Sequence, residues 1–162
     1  MRIFTGKLTV ENVAETLKIV NEIAGKTGGT IVLVDSAKVA GNRHIEEAVI
    51  HAKRSFTEKK AIARTLSMEI LIYISGQRQC SLASKLGLHK GENLIYVIID
   101  GGNEEEEELE LKRLIEESKT PKPEITTLMK LFDITAEELS VVGEGKIEDL
   151  VIERVAMIDT WK

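Results

Sequence analysis

The sequence predicts an α/β (α+β) fold: a small central β-sheet packed with several helices, with residues 1–162 forming a single domain. Three observations lead there. Two short β-branched runs, residues 30–34 and 94–99, are bounded by turn residues and read as buried strands. The longer segments around them place apolar residues at helical spacing. The composition, 43% hydrophobic and 30% charged over 162 residues, is that of a globular chain long enough to bury a core without staples.

Taken in order, residues 2–4 form a short strand candidate. Residues 10–24 read as a helix, with Val10, Val13, Leu17, Val20, Ile23 and Ala24 on one face, Thr9 as N-cap and Gly25 as C-cap. The run 30–34 lies between Gly28-Gly29 and Asp35. Asn42 opens a helix to about residue 56 that turns Ile45, Val49, Ala52 and Phe56 inward. Residues 67–75 are apolar throughout and fit either a helix or a strand; Ser67 as N-cap and Gly76 as C-cap favour the helix. A short helix over 79–86 is closed by Gly87, and the strand 94–99 ends at Asp100-Gly101-Gly102. Asn103 opens an acidic helix to about residue 117, and the tail from 124 to 161 reads as short helices, the last over 147–158.

A lone cysteine, Cys80, excludes an internal disulfide framework and Cys-rich zinc sites, which favours a reducing compartment. No secretory signal pattern opens the chain and no apolar run approaches a membrane span, so the expected location is the cytoplasm. Abundant Glu, Lys and Ile beside two Gln hint at a heat-adapted source.

Net charge is −5, but it is unevenly spread. Residues 38–90 carry ten Lys/Arg against four acids, whereas the rest carries twelve against twenty-three. A basic middle in an acidic body offers a polyanion one favourable approach.

Enzyme motifs fail on inspection. Gly25-Lys26-Thr27 has the end of a phosphate-binding loop, but the first loop glycine is replaced by Val20 and a strand follows instead of a helix. His44 and His51 are seven residues apart on one helix, about 10 Å along its axis and too far to share a metal. Glu104 to Glu108 radiate around a helix start, where acids are favoured by the backbone dipole. Neither a cofactor nor a metal is expected.

The informative stretch is residues 63–88, ARTLSMEILIYISGQRQCSLASKLGL, preceded by Val39-Ala40-Gly41-Asn42-Arg43-His44. Through Glu69-Ile70-Leu71, Ser75-Gly-x-Arg-Gln and the His44 helix, the chain resembles the small KEOPS subunit of the PRPK-binding-protein (CGI-121) family, archaeal type. The resemblance implies a non-catalytic subunit of the complex that installs threonylcarbamoyl-adenosine in tRNA. Such a subunit binds the kinase-like ATPase partner and, in archaea, captures the 3′ CCA end of tRNA.

A single-stranded RNA end is held by cations along its phosphates and by apolar or aromatic surfaces under its bases. The candidate RNA-binding residues are Arg43, His44, Lys53, Arg54, Lys59, Lys60, Arg64, Tyr73, Ile74, Ser75, Gly76, Arg78 and Gln79, with Phe56 beside them. Val155, Met157, Ile158 and Trp161, at the end of the last helix, are the candidate partner-binding residues. Two rival readings stand. One is a small-molecule enzyme with Asp35, Ser36 and Asp100 lining a cleft at the strand C-termini. The other is a structural adaptor that does not contact RNA.

Overall fold

The computed structural model describes residues 1–77 and 86–161. Strands β1 (Arg2–Val10), β2 (Thr30–Asp35), β3 (Gly91–Asp100) and β4 (Glu116–Glu117) form one antiparallel sheet in the order β2–β3–β1–β4. The described helices are α1 (Val13–Thr27), α2 (Asn42–Thr57), α3 (Leu66–Ser75), α4 (Glu104–Leu114), α5 (Ile125–Phe132), α6 (Ala136–Val142) and α7 (Ile147–Met157). This is the expected α+β class. The chain divides into two units, residues 1–36 with 87–121 and residues 37–86 with 122–162. Except for Leu86, the helix expected over 79–86 lies outside the described residues, as do Arg78, Gln79 and Cys80.

The first unit holds the sheet with α1 and α4. Its β1 is nine residues long, not three, and pairs with β3 from Arg2↔Ile99 to Val10↔Gly91. Phe4, Gly6, Leu8 and Val10 supply a period of two. Gly6 breaks the apolar pattern because a Cβ there would lie 2.6 Å from Ile115 Cγ2 and 2.8 Å from the Glu116 carbonyl oxygen. The bare backbone lets β4 pair at Gly6↔Glu117 and Lys7↔Glu116. Because β1 takes Val10, α1 begins three residues later than expected. Asn12, a stronger cap than Thr9, accepts the Glu15 N–H at 3.0 Å, and Gly28 closes the helix in place of Gly25. The acidic helix is capped by Asn103 as expected but stops at Leu114, where β4 claims the following residues. Leu8, Val10, Val20, Ile23, Ile31, Leu33, Ile95, Val97, Ile99, Leu111 and Ile115 form this unit's core.

The second unit is helical. Ile45, Ala48, Val49 and Ala52 of α2 are buried at the expected spacing. Asn42 is the first helical residue and makes no side-chain cap; Glu148 of α7 instead accepts the His44 N–H at 3.3 Å. Residues 67–75 are helical, with Thr65, not Ser67, accepting the Met68 N–H. A helix buried on nearly every side carries no clear period, which explains the ambiguity of the sequence here. Gly76 ends α3 at φ 67°, a left-handed conformation that glycine adopts without strain. Leu128, Phe132, Ile134, Leu139, Ile147, Leu150 and Val151 make a second cluster under the tail helices.

Candidate functional site

The exposed RNA-binding candidates and Gly76, among the described residues, fall at three places in the second unit. The connector between α2 and α3 carries Lys59, Lys60 and Arg64, all exposed and without an ion pair or side-chain hydrogen bond among the described residues. The outer side of α2 carries Arg43, Lys53 and Arg54, also exposed. At the C-terminal end of α3 lies Gly76. The ten residues of α3 separate the connector from Gly76 by about 15 Å.

Glu69 builds the connector. Its side chain, on α3, is fully buried and accepts the Ile62 N–H at 3.0 Å, the Ala63 N–H at 2.8 Å and the Ser55 hydroxyl at 2.8 Å. One carboxylate thereby satisfies two backbone amides of the turn and joins it to α2. Lys59 sits at φ 58°, and the Lys60 N–H bonds back to the Ser55 carbonyl at 2.8 Å, so the chain reverses sharply with both ammonium groups outward. Sequence reading placed Glu69 only within a motif. Its signal was a lone acid inside an otherwise apolar helix.

His44, Ile74 and Ser75 are buried, so they support this surface from beneath and do not present it; the Tyr73 ring is buried too, with its hydroxyl turned to Asp159. The His44 Nδ1 accepts the Ala40 N–H at 3.0 Å, which puts its proton on Nε2, 2.8 Å from the Ile74 carbonyl oxygen. Burial lowers its pKa to about 4, against a smaller opposing pull from the Ile74 carbonyl. The ring meets Phe132 edge-on at 5.3 Å. His44 is thus a neutral tie between α2, α3 and α5. Ser75 turns its hydroxyl to the Ile72 carbonyl and accepts the Gln77 N–H. Phe56 is half-buried.

Two α2 cations already have acidic partners: Arg43 pairs with Asp149 at 2.9 Å and Arg54 with Asp159 at 2.7 Å. Asp159 lies in a one-turn 3-10 helix, Ile158–Trp161, and also meets His51 Nδ1 at 2.6 Å and the Tyr73 hydroxyl at 2.5 Å. Burial alone would raise the Asp159 pKa, but the donors Tyr73, His51 and Arg54 outweigh it and hold the carboxyl below its usual range. The Tyr73 phenol is pushed up by burial and by donation to Asp159.

Beyond α3, Gly76, Gln77, Phe132, Asp133, Arg154 and Met157 line a cavity of about 280 Å³. Arg154 donates to the carbonyls of Phe132 and Asp133 at 3.1 Å and to both Glu138 oxygens at 2.8 and 2.9 Å. Of the predicted partner-binding residues, Val155 and Ile158 are fully buried and close the core, while Met157 is exposed.

The rival cleft is not assembled. Asp35 pairs with Ile95 and Asp100 with Thr30, so the two acids stand at opposite ends of the β2–β3 ladder, about 17 Å apart. The premise of strands ending together belongs to parallel sheets, and this sheet is antiparallel. The glutamate run is also more differentiated than a solvated helix start. Glu104 accepts the Gly101 N–H, Glu108 pairs with Arg2 and Lys112, and Glu107 is buried against the Thr27 hydroxyl at 2.7 Å. Desolvation, eased by Thr27 and reinforced by Glu104 and Glu106, raises the Glu107 pKa. Among the described residues no group of three or more His, Cys, Asp or Glu is placed to hold a metal, and no helix is long and apolar enough to cross a membrane.

A family model described as kinase binding protein CGI-121 matches residues 9–159. No curated protein sequence matches the chain.

Proposed function

The chain belongs to the kinase binding protein CGI-121 family, and from that premise we propose that it is a non-catalytic, cytoplasmic subunit of the KEOPS tRNA-modification complex. It binds the kinase-like ATPase subunit and, in the archaeal manner implied by the resemblance, captures the 3′ CCA end of tRNA. Threonylcarbamoyl transfer and ATP turnover then belong to the other subunits. The family match supports the kinase partner. The observation that carries the RNA arm is the connector, where Lys59, Lys60 and Arg64 stand exposed on a turn fixed by buried Glu69. Cations without acidic partners among the described residues, held on a turn anchored by Glu69, meet phosphates at little ordering cost. Met157, at the end of α7, is the exposed apolar residue offered to the protein partner.

The two arms are tested separately. Met157→Asp should weaken capture of the purified kinase-like ATPase at least tenfold while leaving tRNA affinity unchanged. Undiminished kinase binding by that variant would remove Met157 from the interface. Failure of the wild-type chain to bind the ATPase at all would overturn the reading.

A further inference from the structure

Three donors converge on the Asp159 carboxylate, which offers about four lone-pair sites to receive them. Arg54 from α2, His51 one turn before it and Tyr73 from α3 all converge on this one side chain. Asp159 Oδ2 receives two of them, from His51 Nδ1 at 2.6 Å and Arg54 at 2.7 Å, while Oδ1 receives the Tyr73 hydroxyl. At 2.6 Å from a carboxylate, Nδ1 carries its proton. The Arg54 nitrogen, 2.8 Å from Nδ1, is then a second donor to the same oxygen. A tetrahedral oxyanion would give each of the three donors an oxygen of its own and add negative charge beside the guanidinium. His51 also stacks on Tyr73, with ring centroids 5.6 Å apart, so the donor set is held in place. Glu47 faces the other ring nitrogen of His51 at 3.9 Å.

The cluster is accessible from one side. Arg54 is half exposed and Asp159 about one-third exposed, so the cluster opens to solvent at its charged end. Ile158 beside it is fully buried and pins the short turn, so Asp159 can leave by rotating its side chain while the helix end stays packed.

We propose that Arg54, His51 and Tyr73 form a phosphate-binding cradle that the Asp159 carboxylate occupies in the free protein and yields to a phosphate of the bound nucleic acid. Asp159 thereby gates Arg54, neutralising it until a stronger anion arrives. The identity of the phosphate rests on the RNA arm of the proposed function; the cradle itself does not.

Inorganic phosphate is therefore the first probe. In the full-length chain, the His51 ring resonance is followed by NMR during a phosphate titration at neutral pH. Asp159→Asn should bind phosphate at least tenfold more tightly than wild type, and adding Arg54→Ala should abolish the gain. Asp159→Ser serves as a second uncharged variant. The proposal is overturned by an equal phosphate response in wild type and both folded variants. It is overturned equally by a gain that survives loss of Arg54, or by failure of both variants to fold, which would make Asp159 a structural staple. Labelled tRNA forms the second arm. A phosphate gain without tightened tRNA binding keeps the cradle and removes RNA as its ligand. Bound tRNA with no phosphate gain in Asp159→Asn keeps the RNA reading and overturns the cradle.

Discussion

Protonating His44 should destabilise the protein as pH falls from about 6.5 to about 4. The folded ring titrates near 4 because burial disfavours the imidazolium, whereas an unfolded chain takes the proton near its ordinary value of about 6.5. Between these limits the unfolded state binds more protons, so stability is fully present above about pH 6.5 and drains away as pH falls to about 4. A difference of roughly two and a half units, at about 1.4 kcal/mol each, corresponds to a loss of about 3 kcal/mol. The structural cause is specific. Nδ1 accepts from Ala40, so a second proton would set two N–H groups against each other. Urea midpoints at pH 7, 5.5 and 4 for wild type and His44→Gln read the effect. The variant should be less stable at pH 7 and should converge on wild type toward pH 4, because it has no imidazole to charge. A constant gap across that range, or a folded-state His44 resonance titrating near 6.5, would refute the reasoning.

Glu69→Ala strands the Ile62 and Ala63 amides and removes the acceptor of the Ser55 hydroxyl, so it should cost about 2–4 kcal/mol in chemical denaturation and speed hydrogen exchange at Ile62 and Ala63. Unchanged exchange there would release Glu69 from its anchoring role. Gly6→Ala places a Cβ within 2.6 Å of Ile115 and should cost about 1–3 kcal/mol, with the β4 pairing lost first in backbone NMR. Lys59→Ala combined with Lys60→Ala should flatten the log–log salt dependence of tRNA affinity by about two units, equally for tRNAs of different body sequence. Indifference to removal of the 3′ CCA would separate these lysines from the tRNA end.

What the sequence made legible follows from how local each cause is. The strands β2 and β3 announce themselves because β-branched runs between turn residues need no distant partner to be recognised. The full length of β1 was hidden by Gly6, whose reason is a close approach to Ile115 over a hundred positions away. The basic character of the α2–α3 connector was visible as charge. Which cations stand apart was not, because the acids facing Arg43 and Arg54 come from Asp149 and Asp159, 106 and 105 positions later. The same distance concealed the cradle: Tyr73 and His51 lie 86 and 108 positions from Asp159. Spacing alone set His44 and His51 about 10 Å apart along one helix. Assigning one to a buried tie and the other to a charged cluster required the packing of α2 against α3 and α7.

The most direct measurement is whether one copy of this chain holds both partners at once. Purified chain, kinase-like ATPase and labelled tRNA are mixed and followed by analytical ultracentrifugation. The account predicts a ternary species that loses tRNA, and keeps the ATPase, when Lys59, Lys60 and Arg64 are all changed to alanine. A triple variant that still carries tRNA in the ternary species, or a wild-type chain that never joins tRNA to the ATPase, would contradict it.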